Sequence, residues 1–328
     1  MLQFHVASKT RRIDVHHHYF PANLNKASSN EKVGWRTPAE NLPWNPEISL
    51  KFMDAASIDV AILSFPAIAS GFVGQENRNQ ARERNRGMAE ICRVYKGRFG
   101  FFATLPFLDD IKGALLADGI ALSSSYGEGM NATYVGDAYY DPIFAELDKR
   151  AATVFLHGAQ TPSSTPHPHS FLGVPIIEVP NETFKAAAHL VVTGRKRKYP
   201  HARIILAHMG GSTPFLAARV AVLSRHMGCA LSREEILEDF KSFYYETALS
   251  AHETTLSALE TFVSSKRILF GTDFPAASSE MVGWYTKNLE DFHATDTGKL
   301  TKIMGTNALD LFPRLQTDIS INQLYNKL

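Results

Sequence analysis

The sequence predicts an α/β fold, a closed (β/α)8 or TIM barrel, and three features indicate it. Strand-like apolar runs alternate with helix-like stretches, which is typical of βα units that pair into a parallel sheet. Eight such runs can be counted, and 328 residues is a suitable length for one barrel of this kind. Two long polar connections also follow strands. We therefore expect a single domain over residues 1–328, with long loops at the C-terminal face and helices at the C-terminus.

The predicted elements follow one another in the order that such a barrel requires. The fourth strand is the weakest of the eight, and a helix over 307–312 is expected to close the fold. The predicted strands are 13–16, 60–64, 99–104, 129–135, 153–157, 203–208, 242–247 and 267–271, and the predicted intervening helices are 48–56, 77–95, 111–121, 142–150 and 182–194.

Two insertion loops are predicted, at about 19–46 and 158–179. Both fall after a strand, on the side of the barrel where active sites lie. Long loops in compact domains usually have a function. The first contains Phe20, Trp35 and Trp44. We expect Phe20 and Trp44 to form an aromatic wall for a flat substrate, whereas Trp35 is at least as well explained as a loop anchor.

Composition excludes several classes of function. The formal net charge of +1 gives no field that would attract nucleic acid or a membrane surface. No apolar segment has the length of a membrane span or a signal peptide. The two cysteines, Cys92 and Cys229, are far apart and lack metal-site spacing. We expect a soluble cytoplasmic protein.

A histidine triplet ends the first predicted strand. Alternate residues on a strand share a face, so His16 and His18 can converge on one metal ion while His17 points away. A tag-like histidine patch is the alternative explanation for this motif on its own.

Other strands also end in polar residues that suit a metal. His157, His208 and Asp273 each follow an apolar run, and in a barrel these ends meet at one mouth. Imidazoles and a carboxylate suit zinc, manganese or iron. We predict His16, His18, His157 and Asp273 as ligands of a catalytic site that keeps an open position. His208 is either a fifth ligand or an unligated acid or base.

Motifs along nearly the whole chain resemble the amidohydrolase superfamily, and within it the decarboxylase branch. That branch contains aminocarboxymuconate semialdehyde decarboxylase and aromatic-acid decarboxylases. Segments 99–106 and 141–144 look most similar to fungal 6-methylsalicylate decarboxylases. The motifs that carry the resemblance are 13–18, 155–157, 205–211, 269–275 and 307–312.

The resemblance implies roles for the same five residues. The metal-binding HxH pair falls on His16 and His18, the fifth-strand histidine on His157, the catalytic histidine on His208 and the metal aspartate on Asp273. Many relatives have proline after the fifth-strand histidine, and this chain has glycine there. Relatives with two metal ions place a lysine at the end of the fourth strand. Residues 129–135 contain none, so one divalent ion, zinc or manganese, is expected.

The muconate-semialdehyde enzymes bind a substrate carboxylate with two arginines. One matches Arg219, and in those relatives it reaches the partner subunit's site, which implies a homodimer. An ordinary exposed helix residue is the alternative. The other arginine has no match, since Ala39 is nearest its position and Arg36 is only a neighbour. This difference disfavours a dicarboxylate substrate.

These inferences lead to a metal-dependent, non-oxidative decarboxylase of a small aromatic carboxylate, such as a 6-methylsalicylate-type substrate with an ortho hydroxyl. Direct loss of CO2 from an aryl carbon would leave a costly anion, and protonating that carbon first avoids it, so a positioned acid is needed. Either Asp273 passes a proton to the ring, or His208 activates a water held by the metal. The alternatives are a metal-dependent hydrolase of a lactone or amide in the same superfamily, and a non-catalytic metal-binding barrel.

Overall fold

The computed structural model describes residues 11–66, 75–105, 117–127, 132–160 and 168–316. Eight strands form one parallel sheet, in the order β1-β2-β3-β4-β7-β8-β9-β10, and β5 and β6 form a separate antiparallel hairpin. The strands are β1 (Ile13–His18), β2 (Val60–Ser64), β3 (Phe99–Thr104), β4 (Gly119–Ser123), β5 (Ser125–Tyr126), β6 (Thr133–Tyr134), β7 (Thr153–His157), β8 (Arg203–Leu206), β9 (Tyr244–Glu246) and β10 (Ile268–Leu269).

Backbone hydrogen bonds between the first strand and the segment after the last one close the sheet into a barrel. The Val15 amide donates to the Phe270 carbonyl at 3.0 Å, and the Asp273 amide donates to the His16 carbonyl at 2.8 Å. The predicted (β/α)8 barrel is confirmed. Its closure brings the end of β1 beside Asp273, although the two are far apart in sequence.

Helices separate most of the barrel strands, and several begin at the residues that favour a helix start. Asn45 caps α2 by accepting the Ile48 amide, and Pro46 takes the first helical position. The helices are α1 (Lys26–Val33), α2 (Pro46–Ala55), α3 (Gln75–Val94), α4 (Asp141–Lys149), α5 (Val174–Val192), α6 (Arg195–Lys198), α7 (Thr213–His226), α8 (Arg233–Lys241), α9 (Glu253–Phe262), α10 (Ser279–Phe292), α11 (Thr297–Thr301) and α12 (Asn307–Leu311).

The core has two layers. A larger cluster fills the space between the strands and the outer helices, and a smaller one fills the barrel itself. Phe155 and Phe102 stack inside the barrel at 5.3 Å between ring centroids, and Phe312 packs edge-on against Phe102. Thr153, at the start of β7, donates its hydroxyl to the Leu311 carbonyl. Helix α12 therefore covers the end of the barrel where the strands begin, and leaves the opposite end free for a site.

The fourth strand lies earlier in the chain than predicted. Gly119–Ser123 pairs with both β3 and β7, whereas Thr133–Tyr134 belongs to the small hairpin. The predicted strand at 129–135 and the helical end of 111–121 are therefore wrong in the described residues, and 111–116 and 128–131 lie outside them. Gly119 allows the tight fit, because a Cβ there would lie 2.3 Å from the Thr153 carbonyl oxygen. The segment Gly119–Ser123 consists of small and apolar residues without the alternation that would predict a strand from sequence.

Both insertion loops contain more regular structure than expected. The first includes α1 and a short 3-10 helix at Ala39–Asn41. The second ends at Gly173 and not at 179, because α5 begins at Val174 with Pro175 in its first turn. Within the described ranges, no helix is both long enough and apolar enough to cross a membrane.

Candidate metal centre and active site

A β-bulge in the first strand orients its histidines. Between Asp14 and His17, β1 has one residue more than its partner β2. Bulges are common beside active sites, where they re-aim side chains. The Nε2 atoms of His16 and His18 face each other at 3.2 Å, while the ring of His17 turns away and its Nε2 lies 2.8 Å from the Ser49 hydroxyl. The predicted division of the three histidines between two faces is confirmed.

Asp14 joins this bulge to the segment after the last strand. One of its carboxylate oxygens accepts the backbone amides of His16 at 3.0 Å and Thr272 at 3.1 Å. The other accepts the Thr272 hydroxyl at 2.6 Å and lies 2.9 Å from His17 Nδ1. A fully buried carboxylate with four partners fixes the backbone on both sides of the site.

The five residues predicted from strand ends meet at one point. His16, His18, His157, His208 and Asp273 are all buried. The ligand atoms of His16, His18 and His157 lie within 4.8 Å of one another, and those of His16, His208 and Asp273 form a second group that satisfies the same limit.

The chemistry of this cluster fits a divalent metal ion. Asp273 Oδ1 lies 2.9 Å from His18 Nε2 and 3.5 Å from His16 Nε2, yet it is buried without a well-aligned hydrogen bond. His208 Nδ1 is likewise buried without a partner. Buried polar atoms are rarely left unsatisfied. Nitrogen and carboxylate donors gathered in this way are those that bind zinc or manganese.

Hydrogen bonds outside the cluster set the ring tautomers. His16 Nδ1 lies 2.8 Å from Glu246 Oε1, and His157 Nδ1 lies 2.8 Å from the Gly158 carbonyl oxygen. A carbonyl or carboxylate at Nδ1 requires the proton there, which leaves the Nε2 lone pair free to face a metal. The two rings are therefore oriented as ligands.

The carboxylates of the site dominate its electrostatics. Burial lowers the pKa of His16, but Glu246 and Asp273 outweigh it and raise that pKa to about 9. Burial, followed by the neighbouring His208, holds the pKa of His157 well below its usual value. Burial raises the pKa of Asp273, yet the charge of His16 and a hydrogen bond from His18 hold it well below its usual range. The aspartate is therefore ionised, as a ligand must be.

Two of the five residues have strained backbones. His208 has a φ of 54° and Asp273 a φ of 63°, in the left-handed region that non-glycine residues rarely adopt. The two side chains face each other, with Nε2 3.4 Å from Oδ2. The backbone amide of His208 donates to Glu246 Oε1 at 2.6 Å, which helps to hold this turn. Strain of this kind is concentrated at functional sites.

A cavity of about 180 Å3 opens directly onto the cluster. An engineered protein cavity of about 150 Å3 binds benzene, so this one has room for a single substituted ring. Its walls are mostly apolar, with polar groups concentrated at one end, as in most small-molecule sites. The cavity is lined by His18, His157, His208 and Asp273 at that end, and elsewhere by Lys26, Val33, Trp35, Gln160, Pro175, Ile176, Val179, Pro180, Leu249, Ser250, Ala276, Met281 and Tyr285.

Comparison with known families agrees with this geometry. A family model described as Amidohydrolase matches residues 13–314, which is most of the chain. The chain belongs to the amidohydrolase family. The resemblance inferred from the strand-end motifs is confirmed.

Curated relatives of this amidohydrolase cover it almost completely. It is 36% identical over 330 residues to a 6-methylsalicylic acid decarboxylase of Aspergillus aculeatus, a match that covers 93% of this chain and 97% of the relative. It is 34% identical over 324 residues to a 6-methylsalicylic acid decarboxylase of Penicillium expansum, with the same two coverages.

Solved structures share the fold. A dihydroxybenzoic acid decarboxylase from Polaromonas sp. JS666, with bound manganese and the inhibitor 2-nitroresorcinol, aligns with a TM-score of 0.78 and 23% identity over 93% of this chain and 97% of that one. A 2,6-dihydroxybenzoate decarboxylase in complex with 2,6-dihydroxybenzoate aligns with a TM-score of 0.75, also at 23% identity, over 93% of this chain and 99% of that one.

The aromatic wall of the amidohydrolase cavity differs from the one predicted. Trp35 lines it, with its indole N–H donated to the Ala276 carbonyl at 3.0 Å. Trp44 is buried elsewhere, bonded to the Ser49 hydroxyl. Phe20 stacks beside His18 at 6.2 Å but does not line the cavity. Among the described residues, Trp35, which follows α1, lines this cavity, and the predicted Phe20 and Trp44 do not.

The arginine that the resemblance singled out is outside the cavity. Arg219 is exposed on α7 and is not among the described lining residues. Arg36 and Ala39, the residues nearest the missing second arginine, do not line it either. Within one chain, no arginine of the described part reaches the cavity.

Two residues of the site were missed at the sequence level. Glu246 ends β9 and is fully buried. It follows the same pattern as the histidines, a polar side chain at the end of an apolar strand, and that signal identifies it. Lys26 lines the cavity from α1. Nothing in the local sequence marks it, because its place depends on the course of a long loop.

The structure bears on two differences from the relatives. The observed fourth strand, Gly119–Ser123, contains no lysine. A Cβ at Gly158 would lie 1.9 Å from the Val179 carbonyl oxygen. Glycine is required there because α5 packs directly on the loop, so a proline would not fit without moving that helix.

Proposed function

We propose that this amidohydrolase is a metal-dependent, non-oxidative decarboxylase of a small aromatic acid with an ortho hydroxyl, of the 6-methylsalicylate type. One observation carries the proposal. His18, His157, His208 and Asp273 form one end of an apolar cavity that has room for a single ring. The curated relatives named as 6-methylsalicylic acid decarboxylases support the substrate class.

We propose one divalent ion, zinc or manganese, held by His16, His18, His157 and Asp273. The orphaned Asp273 Oδ1 and the facing Nε2 atoms of His16 and His18 support this ligand set. The manganese of the Polaromonas structure supports the choice of metals. When bound, such an ion would supply Lewis acidity to the oxygen atoms of the substrate.

The side chains of this protein would then deliver a proton to the substrate ring. The ring carbon that bears the carboxylate takes a proton, the bond from that carbon to the carboxyl group breaks, and its electron pair restores the aromatic ring as CO2 leaves. Asp273 is ionised and has no proton to give. His208, 3.4 Å from it, is therefore our candidate for the acid, and Asp273 would hold the imidazole in place.

We further propose a homodimer that uses one face of α7. Phe215, Val222 and Leu223 on this helix and Met227 directly after it are exposed apolar residues, and Met227 is 83% exposed. Their spacing of three to eight residues places them on the same face as Arg219. Exposed apolar groups that cluster on one face often mark a protein–protein contact. A second copy packed here would bury them and bring Arg219 close to the subunit boundary.

We also propose that the protein works in the cytoplasm, where its two cysteines would remain reduced. Cys92 is buried and neither cysteine forms a disulfide. Cytosolic proteins rarely contain disulfides.

A panel assay on metal-loaded protein tests the function. Salicylates and related aromatic acids should release CO2 and leave the corresponding phenol. Acid release from esters, lactones or amides would indicate a hydrolase. Inactivity with every compound, in protein shown to contain metal, would indicate a non-catalytic barrel.

A further inference from the structure

Lys26 is buried in the cavity wall, and no carboxylate of the described residues forms an ion pair with its ammonium group. Lys26, the first residue of α1, is only 8% exposed and lines the same cavity as the histidine cluster. Its Nζ lies 4.6 Å from the centroid of the Phe20 ring, and that ring stacks beside His18. Across the described ranges, Nζ contacts the face of Phe20 and pairs with no carboxylate.

Such a placement is unfavourable for the empty protein. Burying an ammonium group without an opposite charge costs free energy that a cation–π contact offsets only in part. Burial accordingly lowers the pKa of Lys26 to about 8, although the Asp273 carboxylate opposes this shift. Titratable groups with strongly perturbed pKa values are concentrated at binding and catalytic sites. A bound anion would give Lys26 the direct partner that the described residues do not.

The rest of the cavity defines what that ligand is. Among the described lining residues, Lys26 is the one lysine or arginine. The remaining walls are largely apolar and include the Trp35 indole, so they suit an aromatic ring. A ligand that satisfies both features is a flat aromatic anion.

We propose that Lys26 is the residue that binds the substrate carboxylate. The inference rests on the proposed function. The Lys26 ammonium pairs with the carboxylate of the bound acid. The pair is lost when the product forms, since the carboxylate leaves as neutral CO2 while Lys26 keeps its proton. The lysine therefore selects acids over neutral phenols and favours product release. It contributes to substrate binding more than to the chemical step, so KM and not kcat should depend on it.

The test compares Lys26→Met with Lys26→Arg and with Lys32→Met, whose residue is an exposed lysine on the same helix. The probes are salicylate and the neutral analogue salicylamide, titrated calorimetrically into metal-loaded and metal-free protein. We expect Lys26→Met to weaken salicylate binding by about tenfold to a hundredfold, as expected for a lost charge-assisted hydrogen bond. Salicylamide binding should be unchanged, Lys26→Arg should keep most of the salicylate affinity, and Lys32→Met should match the wild type.

Several outcomes would overturn the inference. Equal losses for salicylate and salicylamide would show a packing role, and unchanged salicylate affinity in Lys26→Met would show no role. Melting temperature and metal content establish that each variant is folded, and Lys26→Gln replaces Lys26→Met if the latter is not. If the acids are decarboxylated and KM is the same in Lys26→Met as in the wild type, the inference about Lys26 is wrong and the proposed function is retained. If no acid is decarboxylated but Lys26→Met weakens salicylate binding, the proposed function is wrong and the role of Lys26 in binding a carboxylate is retained.

Discussion

The imidazole of His16 donates its Nδ1 proton to the Glu246 carboxylate over 2.8 Å, with both side chains fully buried. The same carboxylate accepts the backbone amides of His208 at 2.6 Å and Ala248 at 2.7 Å. Gly271 lets it approach, since a Cβ there would lie 2.0 Å from Glu246 Oε2. One side chain therefore orients a proposed metal ligand and the strained turn of the proposed acid.

Glu246→Gln should preserve the shape of this link and remove its charge. We expect metal affinity to fall by about tenfold to a hundredfold, as is typical when the outer partner of a metal-binding histidine is lost. Competition with a chelating dye measures the affinity without reference to activity. Glu260→Gln is the matched control, because Glu260 lies 2.7 Å from His293 in a pair outside the site. Unchanged affinity in Glu246→Gln would remove Glu246 from the metal site.

Metal analysis should find about one divalent ion per chain. The raised pKa of His16, about 9, means that its ring is protonated at neutral pH when no metal is bound. Metal binding must displace that proton, so affinity should rise with pH up to about 9 and fall on acidification. Calorimetry in buffers of different ionisation enthalpy measures the proton released. Two ions per chain, or full activity with none, would contradict the proposed centre.

His208→Asn should separate catalysis from metal binding. Asparagine tolerates a positive φ better than most residues, so the strained turn should survive. We expect most of the metal to remain and kcat to fall at least about a hundredfold, the usual contribution of an acid or base. His201→Asn, at an exposed position outside the cavity and outside α7, serves as the control. Near-normal turnover in His208→Asn would exclude the residue from the mechanism.

Arg219→Ala should act on assembly more than on chemistry. Arg219 is exposed beside apolar residues of α7 and lies outside the cavity of its own chain. We expect a weaker dimer in sedimentation and a modest rise in KM. A loss in kcat/KM beyond about a thousandfold would mean that the arginine binds a second, buried carboxylate and that the substrate class is wrong.

The lysine in the cavity predicts a pH profile. Burial depresses the pKa of Lys26 from 10.5 to about 8, so the ammonium is present below pH 8 and lost above it. We expect kcat/KM, which reports on the free enzyme, to fall about tenfold per pH unit above this point. Lys26→Arg should move the falling limb upward because a guanidinium stays charged. If the fall of kcat/KM occurs at the same pH in Lys26→Arg as in the wild type, another group causes it.

The residues at strand ends were predictable from local pattern. A polar side chain directly after an apolar run marks the end of a buried strand, and in a barrel all such ends meet. This reasoning identified His16, His18, His157, His208 and Asp273 as neighbours, and the structure places them together. It also applies to Glu246, which ends the shorter strand β9.

The fourth strand shows where local pattern fails. Gly119–Ser123 is a short run of small and apolar residues beside a stretch with helical periodicity, and its pairing with β3 and β7 decides its structure. Hydrophobic periodicity cannot distinguish a short buried strand from the end of a helix. Strand pairing is a contact between distant parts of the chain.

The sequence by itself determined the barrel, the family and the five groups at its mouth, because each depends on periodicity within one element and on the type of residue that ends it. Only the tertiary structure decided that Trp35 lines the cavity and Trp44 does not, that Lys26 lies there with no ion-pair partner among the described residues, and that Glu246 links two site histidines. These facts depend on the path of a long loop over the barrel and on distances between residues far apart in the chain. Local pattern reports which face of its own element a residue occupies, and it contains no information about what that face meets.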